Sequence, residues 1–253
     1  MGQDGFPANP GDGEGPSRSV ATPPFSIGAT AVSSQQFARF VEATDHQTDA
    51  ERFGWSYVFE GLLPDSLKQA SPSLPAAPWW RRVEGADWQH PLGPQSRAED
   101  DHPVVHVSWA DAARCAAWMG GRLPAEIEWE YAARGGLAHK IYPWGDEFQP
   151  DGKTMTNIWE GSFPTLNTVA DGYLGTAPVD AFPPNGFGLY NMVGNVWEWC
   201  TDPWSAEVTD MRVVRGGSYL CHDSYCNRYR VSARTAATAD SSTGNTGFRV
   251  AGD

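Results

Sequence analysis

Turn-forming residues punctuate this chain so densely that long helices and strands have little room to form. It carries 27 glycines and 20 prolines among 253 residues, nearly a fifth of the chain where roughly 12% is ordinary. Glycine costs a regular element backbone entropy, and proline removes a donor from it. A disordered chain of this kind has few aromatics, yet this one holds 12 Trp, 11 Phe and 8 Tyr. The combination predicts a compact fold rich in turns, low in helix and strand, with large aromatics filling its core. No repeat or linker divides the sequence, so residues 1–253 read as one domain.

Charge and hydropathy exclude whole classes of function. The formal net charge is −13, and a binder of nucleic acid needs a basic face to neutralise phosphates. No apolar run approaches the roughly 18 residues that span a bilayer, and the first residues lack the cationic start and apolar stretch of a signal peptide. The chain reads as a cytoplasmic protein with neither a nucleic-acid nor a membrane partner.

Local signals place a few elements. VSSQQFARFVEAT predicts a helix capped by Ser33 or Ser34, with Phe37, Phe40 and Val41 on one face. Asp45 to Asp100, broken by prolines, reads as irregular but packed around its indoles. Val104 to Val107 reads as a short strand. Ser108 and Asp111 form a capping box for a helix that buries Ala112, Cys115 and Ala116 and stops at Gly120-Gly121. A second helix follows Pro124, with Glu126 and Glu128 in its first turn. Arg212–Val214 and Phe248–Val250 read as strands. The helix pair is scaffold, and no GxSxG, Walker or dinucleotide loop is present.

Cys115 and Cys200 fit small buried hydrophobes. Cys221 and Cys226, in RGGSYLCHDSYCNRYR, are different. A five-residue offset turns them about 140° apart on a helix and puts them on opposite faces of a strand. Their sulfurs converge only if the segment between them is a loop, which its polar residues and Gly216-Gly217 permit. A structural disulfide, a redox pair activated by Arg228 and Arg230, a two-thiolate site for a soft metal, and no pairing all remain open. His222 is the only other donor nearby. Asn157 with Asp171, and Asn191 with Glu198, sit in Gly-containing turns. They suit either Ca²⁺, held partly by carbonyls, or plain Asx-turns.

The stretches HPVVHVSWADA, GRLPAEIEWEYAARGGL, YPWGDEFQP, NIWEGSFP, TAPVDAFPPNGFGLYNMVGNVWEW, GGSYLCHDSYCNRYR and DSSTGNTGFR resemble the formylglycine-generating enzyme family, the sulfatase-modifying factors, over nearly the whole chain. The resemblance implies a compact α+β fold related to C-type lectin-like domains. It also implies an oxidase that uses O₂ to convert a cysteine in a C-x-P-x-R motif of a sulfatase to Cα-formylglycine. Cu(I) would be held by Cys221 and Cys226, the substrate thiol would join as a third sulfur ligand, and an external reductant would supply the remaining electrons. Ser218 and Tyr225 would flank the oxygen pocket and Trp197 would wall it. Arg234, Asn245 and His222 would orient substrate. One Ca²⁺ maps onto Asn157, Ile158, Asp171 and Tyr173, and another onto Asn191, Gly194, Val196 and Glu198. Ile158, Tyr173, Gly194 and Val196 would offer only carbonyls.

Departures from the family pattern shape the expectation further. Secretory members carry extra disulfides, of which only Cys115 has a counterpart here. Ala133, Val231 and Val250 occupy other such positions, which points to a reducing, bacterial-type cytoplasm; a monomer is expected. Met1-Gly2 resembles the interior of the family's first strand, so an edge strand or targeting segment is expected to be missing. Thr235–Ala239 replaces a Ser/Asn/Pro-containing loop near the substrate groove. The competing readings are a lectin-like binding module, which has no need of converging thiols, and a metal-free thiol-redox protein. An iron-dependent sulfoxide synthase is a third, but it needs a helical domain this chain has no room for.

Overall fold

The computed structural model describes every residue except Phe6 and Pro10. In chain order come β1 (Ser26–Ile27), α1 (Ser34–Thr44), α2 (Asp49–Phe53), β2 (Trp55–Phe59), α3 (Asp65–Ala70), β3 (Ser73–Leu74), β4 (Ala77–Glu84), α4 (Trp109–Trp118) and α5 (Glu126–Ala133). The strands β5 (Gly161–Ser162), β6 (Leu166–Asn167), β7 (Trp197–Pro203), β8 (Met211–Arg215), β9 (Arg234–Thr238), β10 (Thr246–Gly247) and β11 (Ala251–Gly252) complete it. This is a mixed α+β arrangement with little helix. Among the described residues no helix is long and apolar enough to cross a membrane.

Short helices need their first amide groups satisfied, because few internal bonds support them. In α1, Ser33 Oγ accepts from the Gln36 amide at 3.2 Å and the Gln36 side chain accepts from the Ser33 amide at 2.9 Å. Ser108 and Asp111 form the same reciprocal box at α4. At α5 no cap side chain is available, and Glu128 alone accepts from the Ala125 amide at 2.8 Å. The expected stripe Ala112, Cys115 and Ala116 is buried in the main core with Phe37, Trp129 and Trp199.

Four strands in the order β10-β7-β8-β9 make the central sheet, parallel at β10–β7 and otherwise antiparallel. A second sheet, β2-β4-β3, corrects the expectation that Asp45 to Asp100 is irregular. Pro64, Pro72 and Pro75 fall between its strands and Pro78 at the start of β4, where a missing donor is tolerated, so β2 and β4 pair from Trp55↔Glu84 to Phe59↔Trp80. Val104–Val107 forms no strand, because His106 adopts a left-handed backbone (φ 60°) that breaks the extension. Phe248–Val250 likewise falls between β10 and β11. There the Phe248 and Val250 carbonyls bond the irregular segment at Val32 and Gly28 instead. Residues 1 and 2 lie outside any strand.

His106 is fully buried, its Nε2 at 2.9 Å from the Pro91 carbonyl and its Nδ1 at 2.8 Å from the Ser56 hydroxyl. Burial disfavours the imidazolium and pushes its pKa down to about 4, although the Pro91 contact opposes the shift. Between pH 6.5 and 4 the unfolded chain therefore binds a proton that the folded chain refuses, and stability falls as pH falls, by about 3 kcal/mol in all. His106→Asn keeps a polar atom near Ser56 and tolerates the left-handed backbone. Urea unfolding from pH 7.5 to 4.5 is expected to show a shallower loss of stability for this variant than for the parent. Equal slopes would remove His106 as the cause.

Candidate active site

Where the backbone leaves β8, Gly216 and Gly217 both take positive φ, 95° and 75°. A Cβ on Gly216 would sit 3.0 Å from the Met192 carbonyl, and one on Gly217 3.0 Å from the Arg228 carbonyl, so only glycine lets the two strands of chain approach this closely. The Cys221 amide then closes a turn onto the Ser218 carbonyl at 2.8 Å. Three consecutive amides, of Tyr225, Cys226 and Asn227, converge on the carbonyl of His222 at 3.1, 2.8 and 3.0 Å. This tight loop brings the Cα atoms of Cys221 and Cys226 to 5.0 Å, with the sulfurs joined as a disulfide.

The pair lies in a cleft of about 260 Å³ walled by Trp79, Trp197 and Tyr225. Ser218 and Asn245 line it as well. Asn245 Nδ2 donates to Ser218 Oγ at 2.9 Å, its Oδ1 accepts from the Thr243 hydroxyl at 2.8 Å, and the Ser218 amide reaches Cys221 Sγ at 3.5 Å. The Tyr225 ring stacks on Phe163 at 4.2 Å and meets Trp79 edge-on at 5.0 Å. A larger cleft, about 390 Å³, is lined by Tyr219, Gly244, Glu99 and His102 and reaches neither cysteine.

Two of the substrate-orienting candidates are not brought into the cleft. His222 turns its ring to the Ser224 hydroxyl at 2.8 Å. Arg234 is bidentate to Glu126 at 2.6 and 3.0 Å, packs over the Trp204 ring at 4.2 Å, and lines a separate polar cavity of about 170 Å³. Arg228 lines the cysteine cleft instead. Its partner Asp12 lies at the other end of the chain, so no sequence neighbour signals the contact.

The first oxygen-rich set shows what a cation would satisfy. Asn157 Nδ2 donates to the Gly175 carbonyl at 2.9 Å and to Asn195 Oδ1 at 3.2 Å, while its own Oδ1 is buried and accepts nothing. Asp171 accepts from the amides of Tyr173 and Ile158 at 3.0 and 3.2 Å. Burial, with Glu160 adding repulsion, pushes its carboxyl up to about 6 despite those bonds. In the second set Asn191 Oδ1 is also buried without a donor. Glu198, however, accepts from Arg249 at 2.6 and 2.7 Å and from the Trp129 indole at 2.7 Å. A carboxylate has about four acceptor positions, so little of Glu198 is left for a metal.

These loops are bonded directly to the cysteine segment. The Trp159 amide donates to the Cys221 carbonyl at 3.0 Å and the Tyr219 amide to the Asn195 carbonyl at 2.9 Å. Asn195 in turn donates its amide to the Asn157 carbonyl at 2.8 Å. Asn195 carries no charge and no metal-ligand spacing. Its left-handed φ of 60° is the one property sequence reading can anticipate, since asparagine tolerates it.

The sulfatase-modifying factor enzyme 1-like domain matches residues 1–253. The formylglycine-generating enzyme of Thermomonospora curvata is 54% identical, covering 100% of this chain and 90% of the relative. The inactive C-alpha-formylglycine-generating enzyme 2 of Mus musculus is 47% identical, covering 95% of this chain and 79% of the relative. The solved structure of PvdO from Pseudomonas aeruginosa, 24% identical, superposes with a TM-score of 0.68 over 95% of this chain and 85% of its own, and supports the fold alone. With a match running its full length and the expected α+β fold beneath it, this chain belongs to the sulfatase-modifying factor family.

Proposed function

We propose that the Cys221–Cys226 cleft converts a cysteine of a sulfatase polypeptide, within C-x-P-x-R, to Cα-formylglycine, using O₂ and copper. One observation carries the reading: two sulfurs side by side in an open cleft, beside a polar Ser218–Asn245 wall. The family's scaffold does not decide the matter, since a relative at 47% identity is named inactive. The relative at 54% identity is named for formylglycine generation.

The donor set fits the metal. Once reduced, two thiolates on one tight loop suit a soft monovalent ion far better than an oxygen-seeking one. Bound there by Cys221 and Cys226, Cu(I) would supply a thiophilic centre for the substrate sulfur and electrons to O₂. Overall, the substrate CH₂–SH loses two electrons and two protons to give a thioaldehyde, which water hydrolyses to aldehyde and hydrogen sulfide. O₂ takes four electrons and becomes water, so an external reductant supplies the other two. The chain's own part is orientation. Asn245 fixes the Ser218 hydroxyl beside Cys221, and the Trp79–Tyr225 corner offers an apolar surface to an extended peptide. We propose a reducing cytoplasm, a reading supported by Cys115 and Cys200 being free and buried, and a monomer.

Ca²⁺ belongs, on the same reading, with Asn157, Ile158, Asp171 and Tyr173, where an orphaned buried oxygen and a desolvated carboxylate face no cation among the described residues. The second set retains Asn191 Oδ1, while the Glu198 carboxylate is claimed by Arg249. We propose it as the weaker of the two.

A C-x-P-x-R peptide incubated with Cu(I)-loaded protein, O₂ and reductant is expected to show the mass loss of thiol-to-aldehyde exchange. The Cys221→Ala, Cys226→Ala double variant is expected to leave the peptide at background, and conversion at the parent rate would refute the site. Separately, Ca²⁺ added to chelator-treated protein at a hundredfold its Kd is expected to raise Tm by about 5–10 °C. Asp171→Asn removes a desolvated charge, so that variant should be at least as stable as the parent in chelator and should lose the Ca²⁺ response. A Tm that ignores Ca²⁺, or a variant that still responds fully, would remove the cation from this loop.

A further inference from the structure

The arginines beside the cysteines are not free charges. Arg228 is held bidentately by Asp12 at 2.7 and 3.0 Å, and Arg230 by Glu14 at 2.6 and 2.7 Å. Both side chains of the second pair have no exposed surface at all. Asp12 and Glu14 stand two residues apart across a turn, as Arg228 and Arg230 stand two residues apart beyond the cysteine loop, and the two acids meet the two arginines one to one. The match continues one step further, where the Ser232 hydroxyl donates to Glu14 at 2.9 Å. Gly13, between the two acids, has φ 70°, and a Cβ there would stand 3.0 Å from the Arg234 guanidinium. The glycine lets the acidic segment lie flat against the arginines.

These contacts reach the site through the backbone. Arg230 Nε donates to the Asn227 carbonyl at 2.7 Å, just past Cys226, and Asn227 holds a left-handed φ of 47°. Arg228 extends Nη1 toward the Cys226 carbonyl at 3.4 Å and lines the cleft. Cys226 therefore leaves its turn along a path fixed by two guanidiniums. Those guanidiniums are themselves fixed by carboxylates more than two hundred residues away in sequence.

We infer that the segment Gly11–Glu14 is a positioning strap for Cys226, with Glu14 and Asp12 as positioning residues that set the sulfur pair through Arg230 and Arg228. The inference rests on the cleft being the working site, but not on copper. Of the buried arginine–glutamate pairs, Arg230–Glu14 is the one whose arginine bonds a carbonyl next to Cys226. Without Glu14 the Arg230 charge stays buried and unpaired, and it can be relieved only by moving the 227–230 segment.

The test compares Glu14→Gln, Asp12→Asn and the double variant Glu14→Gln, Arg230→Met with the parent. Two readouts are taken: the thiol–disulfide equilibrium of Cys221–Cys226 in glutathione buffer, and Cu(I) affinity against a competing chelator. Glu14→Gln is expected to shift both by about tenfold or more, as loss of an outer support does at metal sites, and Asp12→Asn by less. The double variant removes both buried charges. It should be more stable than Glu14→Gln alone, since no buried charge is left unpaired, yet stay below the parent because the Asn227 carbonyl loses its donor, and the two site equilibria should stay shifted. If Glu14→Gln does not fold, the double variant and Asp12→Asn decide alone. Lowered Tm with both equilibria within about twofold of the parent would reduce the strap to a stability element and overturn the inference. A parent that binds no Cu(I) would sink the copper reading instead, and the glutathione equilibrium would still judge the strap.

Discussion

Three fully buried arginines hold this molecule together, and each does the same two jobs. Arg215, Arg230 and Arg249 are paired with Glu130 and Glu126, with Glu14, and with Glu198. Each then turns further N–H groups to loop carbonyls. Arg215 bonds those of Val231 and Ser232, Arg230 that of Asn227, and Arg249 those of Gly28, Ala29 and Tyr190. A fold with so little regular structure has many carbonyls that no ladder satisfies, and a buried orphan costs as much as a lost hydrogen bond. Guanidinium suits the task because it offers five donors in a fixed plane and remains charged when buried. An apolar replacement of the ion pairs would leave those carbonyls unpaired, which is why the usual finding that hydrophobes can replace buried salt bridges does not extend to these.

The cysteine loop stands where two such supports meet. Cys221 is approached from one side by the Trp159 amide, which belongs to the same loop as Asn157 and Ile158. Cys226 is approached from the other by the strands of chain that Arg228 and Arg230 fix. Asn195 ties the first support to the double-glycine turn, bonding Asn157, Ala177 and Tyr219 at once. The neighbouring Gly194 amide bonds the Gly216 carbonyl at 2.8 Å. The cysteine side of the cleft is therefore positioned by loops ordered through buried polar atoms, while Trp197, Val214 and Thr235–Ala237 of the sheet line the rest.

Much of this was legible where chemistry is local. Ser33 and Ser108 announce their helices because a cap and its reciprocal partner lie three residues apart. The odd spacing of Cys221 and Cys226 admits convergence only through a loop, and Gly216-Gly217 marks how the chain enters it. What sequence could not show is which distant groups claim a side chain first. Arg234 reads as free to meet substrate until Glu126 and Trp204 are found against it. Glu198 reads as a metal ligand until Arg249 is found upon it. The second sheet was hidden because prolines counted along the chain look like interruptions throughout, while in space they fall at turns and at the first positions of a strand. The acidic segment at Asp12 and Glu14 sits in a Gly/Pro-rich stretch that local rules read only as turns.

Independent support of the two sulfurs has a consequence for the chemistry. On the proposed reading, a pair that serves as a disulfide, as two thiols and as two ligands of one ion would pass through three different sulfur separations. Were both cysteines anchored to one rigid element, one of these states would be favoured and the others strained. Here Cys221 is tied to the oxygen-rich loop and Cys226 to the arginine-held segment, and the turn between them, His222 to Tyr225, carries its exposed residues free of the core. The half-exposed Tyr225 ring leans on Trp79 and on Phe163, which itself meets Trp159 edge-on at 5.3 Å. The turn is closed by three amides on the His222 carbonyl, and the Ser218–Asn245 wall is held by Thr243 on the far side. The two sulfurs are thus held by separate supports and joined by one short hydrogen-bonded turn, so a change at either support reaches the pair without passing through the other.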